Sequence, residues 1–220
     1  MKEQAARGTH DIVKQLITAL RATGDPLRVL EAPCGFGGMA TFLNSIHYKV
    51  TALDIIPPEN LDSAIRILKH DLNEPLPFED ESFDLCVSIE GIEHIERPAD
   101  LFHELARVLK KGGNLIISTP NTEALYSRLR VFRNGYPKHF GPVSETERLS
   151  GHIHPIDRVF IERHRKRANL KIHAITTNNL YGKRFPWPLL AKLMTRQLPA
   201  MYRNENILYG DILIYHFIKQ

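Results

Sequence analysis

The sequence predicts an α/β fold in which a mostly parallel sheet carries helices on both faces. Short apolar runs alternate with amphipathic helical segments along the first 120 residues. A glycine-rich turn joins the first apolar run to the helix after it, as is typical of a strand-to-helix junction. A length of 220 residues suits one domain, and 43% hydrophobic with 25% charged residues argues against disorder, collagen and coiled coil.

The first half of the chain predicts five strands. They cover residues 27–32, 48–54, 65–70, 83–89 and 115–118. A helix is predicted before them over residues 9–22, because Ile12, Leu16 and Leu20 recur at helical spacing, and Thr9 is its expected N-cap. We therefore expect a helix to pack against the sheet ahead of the first strand.

The helices between these strands begin and end at glycine and proline. One starts at the glycine turn and ends near residue 46, and a short one is expected after Pro57-Pro58. A third has Pro98 in its first turn and is expected to end at Lys110-Lys111-Gly112-Gly113, where basic residues precede glycine.

The alternation stops after Pro120 and resumes about 35 residues later. We predict one domain over residues 1–220, in which residues 121–154 form a cap that helps bind the substrate. That cap is expected to hold one helix with Leu125, Leu129 and Phe132 on a stripe. The predicted elements after it are helices 156–168 and 189–198 and strands 171–181 and 207–218.

Charge is distributed unevenly along the chain. Residues 1–120 hold 12 basic and 18 acidic residues, whereas residues 121–220 hold 17 and 7, out of a net charge of +4 for the whole chain. A basic half indicates an anionic substrate, nucleic acid or an acidic membrane surface, and a solvated basic face is the alternative.

The cysteines and apolar runs bear on the cellular compartment. Cys34 and Cys86 lie in or beside apolar runs, which is typical of reduced thiols. The first residues lack the apolar segment of a signal peptide, and no run approaches the length of a membrane-spanning helix. We therefore expect a cytoplasmic protein.

The turn Glu31-Ala32-Pro33-Cys34-Gly35-Phe36-Gly37-Gly38 is the first sign of a ligand site. Glycines there let the backbone approach a ligand, and the following helix offers unpaired N–H groups. Asp54 ends the second strand, where a carboxylate can accept hydrogen bonds from a ribose diol. Both signals fit NAD as well as any other adenosyl cofactor, and a tight turn without a ligand also remains open.

Motifs further along the chain distinguish between these cofactors. His70-Asp71-Leu72-Asn73 ends strand three, Ser88-Ile89-Glu90-Gly91 follows strand four, and a Leu-Lys-Lys-Gly-Gly turn leads into strand five. In order and spacing, residues 28–120 resemble class I S-adenosylmethionine-dependent methyltransferases, especially the group that includes the ubiquinone and menaquinone biosynthesis enzymes. The resemblance implies S-adenosyl-L-methionine as cofactor and a Rossmann-like, seven-stranded sheet whose last strand is antiparallel.

The resemblance also implies roles for individual residues. Glu31 matches the acid near the amino group of the cofactor's methionine, Asp54 the ribose-binding acid, and Asp71 the acid that binds the adenine amino group. Glu31 stands where aspartate is commoner in the family, and Pro33 where glycine is frequent. The cofactor-binding residues predicted in this way are Glu31, Pro33, Gly35, Gly37, Asp54, Ile55, Asp71, Leu72 and Glu90.

Histidines are the candidate catalytic residues, since methyl transfer to oxygen usually needs a base. His94 follows strand four, and His152 and His154 lie just before the core resumes. A structural role for His94 is the alternative. No metal site is predicted, because the pair His152 and His154 lacks a third ligand motif. Acidic residues at strand ends suit a sulfonium better than a pyrophosphate, which favours a methyltransferase over a nicotinamide oxidoreductase.

The predicted reaction is methyl transfer to a small molecule or glycan, at oxygen. Five cations of the basic half suit an anionic sugar or a lipid-linked acceptor. They are Arg128, Arg130, Arg133, Lys138 and Arg148. The alternatives are an RNA or protein methyltransferase and a cofactor-binding regulatory protein without turnover. Ser88-Ile89-Glu90-Gly91 lacks the motif of base N-methylation.

Two further segments bear on partners. The basic run 163–167 is read as a solvated helix face, since no aromatic-rich RNA module accompanies it, so nucleic acid is not the expected partner. Residues 183–192 combine Phe185, Trp187 and basic residues, a pattern that suits a peripheral membrane contact. Core packing or a homodimer contact is the alternative for this segment.

Overall fold

A computed structural model describes residues 5–20, 26–141, 151–180 and 204–220. Its centre is one seven-stranded sheet in the order β3-β2-β1-β4-β5-β7-β6. The strands are β1 (Arg28–Glu31), β2 (Lys49–Asp54), β3 (Arg66–Lys69), β4 (Phe83–Ile89), β5 (Leu109–Pro120), β6 (Leu170–Thr177) and β7 (Ile212–Lys219). The described helices are α1 (Thr9–Ala19), α2 (Gly38–Ser45), a 3₁₀ turn (Ile92–His94), α3 (Pro98–Val108), α4 (Leu125–Asn134), α5 (Arg158–Arg167) and α6 (Glu205–Tyr209).

Strand directions confirm the predicted Rossmann-like sheet. The pairs β1–β2, β2–β3, β1–β4 and β4–β5 are parallel, whereas β7 runs antiparallel to both β5 and β6. Because β1 lies between β2 and β4, the chain leaves β1 toward one side of the sheet and later returns on the other. Such a switch in strand order opens a crevice at the carboxyl ends of the strands.

Apolar side chains cover both faces of the sheet. On one face α1 and α2 contribute Val13, Ile17 and Met39 to a cluster of buried residues. On the other face α3 and α5 contribute Phe102 and Ile161 to a second cluster. The two layers of helices hold the crevice between β1 and β4 in a rigid frame.

Three predicted local features are wrong. Thr9 is the first residue of α1 and not its N-cap, which is Gly8 at φ 85°. No helix follows Pro57-Pro58, where prolines remove donors and the Asp62 carboxylate instead accepts from the N–H of Ala64. Lys110 to Gly113 do not end α3 but lie in β5, because α3 passes into the strand at Leu109.

The structure of the second half of the chain also differs in part from the prediction. The predicted stripe on α4 is wrong at one end, since Leu125 is buried but Phe132 is 92% exposed. Strand β6 ends at Thr177, and the short helix α6 precedes β7. The predicted helix 189–198, Arg148 and the segment 183–192 lie outside the described residues. In the described part of the chain, no helix combines the length and apolar character needed to cross a bilayer.

Candidate functional site

The predicted site residues of the first half gather at the carboxyl ends of β1, β2, β3 and β4. Glu31 and Asp54 are the last residues of β1 and β2, and Glu90 follows β4 directly. The N–H of His70 donates to the carbonyl of Asp54 at 2.9 Å, which brings the end of β3 beside the end of β2. The crevice is therefore lined by carboxylates from neighbouring strands.

The turn between β1 and α2 is held open by its glycines. Gly35 has φ 51° and Gly37 has φ 77°, in the left-handed region that glycine adopts readily. A Cβ at Gly37 would lie 2.5 Å from the Leu61 side chain. At Gly35 and Gly37 the turn thus has no side chain, which lets its backbone pass close to its neighbours.

Pro33 packs against the turn after β4. A Cβ at Gly91 would lie 2.1 Å from Cδ of Pro33, so glycine is needed there for the two turns to touch. The structure gives the predicted cofactor-binding residue Pro33 a packing contact, and its predicted role toward a ligand stays a prediction.

Gly91→Ala is expected to lower the free energy of unfolding by about 1–3 kcal/mol, since overpacking against a rigid ring forces the backbone apart. Urea denaturation measures this loss. The double variant Pro33→Ala with Gly91→Ala should recover part of it. An unchanged stability in Gly91→Ala alone would contradict the contact.

Glu31 is a buried carboxylate that is only partly hydrogen-bonded. Its side chain is 3% exposed, and its Oε2 atom has no hydrogen-bond partner among the described residues. Burial holds the pKa of Glu31 well above its usual range, the N–H of Ala40 lowers it in part, and the charge of Asp54 raises it further. A bound cation would compensate this site, and an ammonium group has the required charge and donors.

Asp54 organises the turn around it. Its Oδ2 accepts the N–H of Gly35 at 2.8 Å and its Oδ1 accepts the N–H of Ile56 at 3.0 Å. Each carboxylate oxygen can accept a further hydrogen bond, so a diol can still bind. Ile55 and Ile56 are 53% and 74% exposed beside it and offer an apolar surface to a flat ring.

Asp71 is fixed by a local turn. Its Oδ1 accepts from the N–H of Asn73 at 2.9 Å and from the Asn73 amide at 3.0 Å. Leu72 is 6% exposed and packs in the core, which leaves its backbone as the part available to a ligand. This arrangement is compatible with the predicted adenine-binding role.

Glu90 is engaged by the N-terminal segment. Its Oε1 accepts from the N–H of Ala6 at 2.9 Å and from the hydroxyl of Thr9 at 3.0 Å. Burial raises the pKa of Glu90, and the donors at Ala6 and Thr9 lower it in part. The residue has φ 43°, a strained conformation of the kind found at functional sites. The start of α1 therefore covers this end of the crevice.

The turn after β4 brings two predicted histidines together. The rings of His94 and His152 lie 4.6 Å apart between centroids, in an edge-to-face arrangement. Burial lowers the pKa of both rings, to about 4 for His152, where the charges of His94 and His139 add to the effect. His154 stands apart from this pair and contributes its backbone N–H, which donates to the carbonyl of Glu93 at 3.0 Å.

Two acidic residues near the site were missed from the sequence. Glu93 is fully buried beside His94, and Asp211 accepts from Lys138 at 2.6 Å and from His139 at 2.8 Å. Burial would raise the pKa of Asp211, but the hydrogen bonds from His139 and Lys138 outweigh it and hold that pKa low. The Glu-His pair at the 3₁₀ turn was a signal for Glu93. Nothing in the sequence near Asp211 indicates its partners.

Two of the five cations predicted to hold an anionic acceptor have protein partners within the described part of the chain. Lys138 pairs with Asp211, and the Arg128 guanidinium donates to the carbonyl of Glu123 at 2.8 Å. Lys138 and His139 nevertheless bring residues of the insertion to the crevice, since the charge of His139 acts on Glu90. The role of residues 121–154 as a cap stays a prediction.

The chain is similar to known methyltransferases in sequence and in fold. Residues 30–117 match a family described as a methyltransferase domain. A probable S-adenosylmethionine-dependent methyltransferase of Mycolicibacterium smegmatis is 33% identical over 116 residues, which cover 51% of this chain and 44% of that protein. The chain spans less than half the length of the first curated relatives it matches.

A second relative and a solved structure match more of the chain. A ubiquinone biosynthesis O-methyltransferase of Xylella fastidiosa is 28% identical over 179 residues, covering 77% of this chain and 69% of that protein. The crystal structure of a methyltransferase dependent on S-adenosylmethionine from Archaeoglobus fulgidus has a TM-score of 0.62 at 17% identity, covering 97% and 96% of the two chains. At that identity the structural likeness establishes the fold.

Proposed function

We propose that this chain is a class I S-adenosylmethionine-dependent methyltransferase and that it transfers a methyl group to an oxygen atom of a small anionic molecule or glycan. The cofactor supplies an electrophilic methyl group on a sulfonium, which is already a good leaving group. The protein's task is then to bind the two reactants in line, exclude water and dispose of the acceptor's proton.

The unpartnered Oε2 atom of the buried Glu31 carboxylate is the observation that carries the cofactor assignment. A dinucleotide would place two phosphates at the turn before α2, where the buried Glu31 carboxyl group and the partly exposed Asp54 carboxylate oppose anions. A cofactor with an ammonium group and a ribose instead satisfies both carboxylates. Glu31 would hold the ammonium, Asp54 the ribose diol and Asp71 the adenine amino group.

Transfer to oxygen is supported by the neutral imidazoles of His94 and His152. They lie on the turn after β4 and on the segment docked against it, next to Glu90. Since burial keeps both rings unprotonated at neutral pH, each has a lone pair with which to assist loss of the acceptor's proton. The Xylella relative named as an O-methyltransferase supports the same acceptor atom.

An anionic acceptor is supported by charge. Residues 121–220, which include the proposed cap, hold 17 basic and 7 acidic residues. Calorimetry of the binding of matched neutral and phosphorylated acceptors tests whether the acceptor is anionic. Tighter binding of the phosphorylated compounds that weakens with salt is expected, and equal affinity would contradict the proposal.

An acceptor screen with labelled methyl donor tests the activity itself. With an accepted substrate, His152→Asn should lower kcat by roughly 10²–10⁴-fold, the range of general acid–base catalysis, while the affinity for S-adenosylhomocysteine stays unchanged. His103→Asn is the matched control, since His103 pairs with His164 between α3 and α5 at 3.0 Å. A His152→Asn enzyme as fast as the parent would contradict the role of His152.

A further inference from the structure

Glu93, His94 and His152 each place a potential ligand atom within 4.8 Å of the others. We propose that these three residues form a binding site for a divalent first-row transition-metal ion such as zinc. The proposal concerns side chains from two separate segments, the 3₁₀ turn after β4 and the stretch that precedes α5.

The chemistry of the three side chains favours a transition metal. Two imidazoles and one carboxylate match the ligand set of many catalytic zinc sites and of non-haem iron sites, which keep a position open for substrate. Magnesium and calcium prefer oxygen ligands alone, so two nitrogen donors disfavour them.

The hydrogen bonding of His94 prepares it to act as a ligand. Its Nδ1 atom lies 3.0 Å from the carbonyl oxygen of Gly151. A carbonyl can only accept, so Nδ1 carries the proton and Nε2 keeps its lone pair. A backbone carbonyl that fixes the tautomer in this way is the usual companion of a metal-bound histidine.

Polar atoms of the cluster lack protein partners. Glu93 is fully buried, and neither of its carboxylate oxygens has a hydrogen-bond partner among the described residues. The Nδ1 atom of His152 is likewise buried without such a partner. A buried carboxylate needs compensation, and a cation shared with two neutral rings would supply it.

The segment with His152 is docked on the turn with Glu93 and His94. The N–H groups of Ile153 and His154 both donate to the carbonyl of Glu93 at 3.0 Å. Together with the bond from His94 to Gly151, they hold His152 in place before any ion arrives. Such preorganisation favours ligand binding, because little chain entropy remains to be lost.

A bound ion would also change how the acceptor loses its proton. A hydroxyl coordinated to a divalent metal would ionise at lower pH and release its proton to solvent, so the two imidazoles would serve as ligands instead of accepting the proton themselves. This consequence rests on the proposed function, but binding of the ion does not.

Titration of the metal-free, full-length chain tests the site. After dialysis against a chelator, Co²⁺ is added and followed by its visible absorption, and Zn²⁺ by calorimetry. We expect about one ion per chain, and at least roughly tenfold weaker binding in Glu93→Gln and in His152→Asn. His103→Asn, whose ring pairs with His164 elsewhere, should bind the ion as the parent does.

The absence of ion binding by the parent chain, or equal binding by His152→Asn, would overturn the proposal. If Glu93→Gln does not fold, His152→Asn decides alone, since His152 lies in a segment outside the described helices and strands. S-adenosylhomocysteine affinity is measured in parallel without metal. Loss of that binding with intact ion binding would contradict the proposed function and leave the metal site standing.

Discussion

Asp54→Ala is expected to weaken the binding of S-adenosylhomocysteine by roughly 100-fold or more, as measured by calorimetry. Each hydrogen bond to a charged acceptor contributes about 1.5–3 kcal/mol, and the proposed ribose diol makes two of them. The substitution also frees the N–H groups of Gly35 and Ile56, which the carboxylate now holds at 2.8 and 3.0 Å. Both losses act on the same turn and in the same direction.

Two companion variants sharpen this result. Asp54→Asn keeps one oxygen for the turn and should lose less affinity than alanine. Asp62→Ala is the matched control, since Asp62 also accepts a backbone N–H in an exposed turn but lies outside the proposed cofactor residues. Unchanged affinity in Asp54→Ala would contradict the ribose assignment.

Glu31→Gln is expected to change stability and affinity in opposite directions. Without ligand at neutral pH, the variant should gain roughly 1–3 kcal/mol in free energy of unfolding, because a buried charge without full compensation is removed. Its affinity for S-adenosylhomocysteine should fall roughly tenfold to hundredfold, since the cofactor's ammonium group loses a charged partner. Chemical denaturation and calorimetry measure the two effects.

The stability difference has a defined dependence on pH. The pKa of Glu31 is raised in the folded state, so the folded chain binds more protons than the unfolded chain above pH 4.5. The parent therefore loses stability as pH rises from 4.5 toward the folded pKa, and Glu31→Gln does not. We expect the gap between them to be largest at neutral pH and above and to close near pH 4. A gap independent of pH would mean that Glu31 is not the titrating group.

Loss of affinity without a gain in stability would also be informative. It would show that the Glu31 carboxylate is compensated within the free protein. Glu31 would then still contact the cofactor, but its burial would not favour a cation. Stability and affinity measured on Glu31→Gln thus test separately whether Glu31 contacts the cofactor and whether its burial favours a cation.

The sequence by itself determined the sheet and the edge at which the predicted cofactor-binding residues gather. Apolar runs alternating with helical segments are local signals, and Asp54 and Asp71 could be placed because Asp54 ends β2 and Asp71 follows His70 just after β3. Parallel strands bring their carboxyl ends to one edge, so local assignments were sufficient to gather these residues. The helix expected after Pro57-Pro58 failed for an equally local reason, since prolines and the Asp62 turn compete with helix formation.

Only the tertiary structure decided the other end of the site. His94 and Gly151 are 57 residues apart, and Lys138 and Asp211 are 73 apart. No periodicity or motif in the sequence predicts either contact, because each depends on where a loop returns to the sheet. The burial of Glu93 and the hydrogen bond from Thr9 of α1 to Glu90 likewise follow from packing between distant segments. The sequence specifies which side chains are charged and which can donate hydrogen bonds. The folded chain decides how exposed each side chain is and which partners it has. Exposure and partners in turn set the pKa of each group and its capacity to bind a ligand.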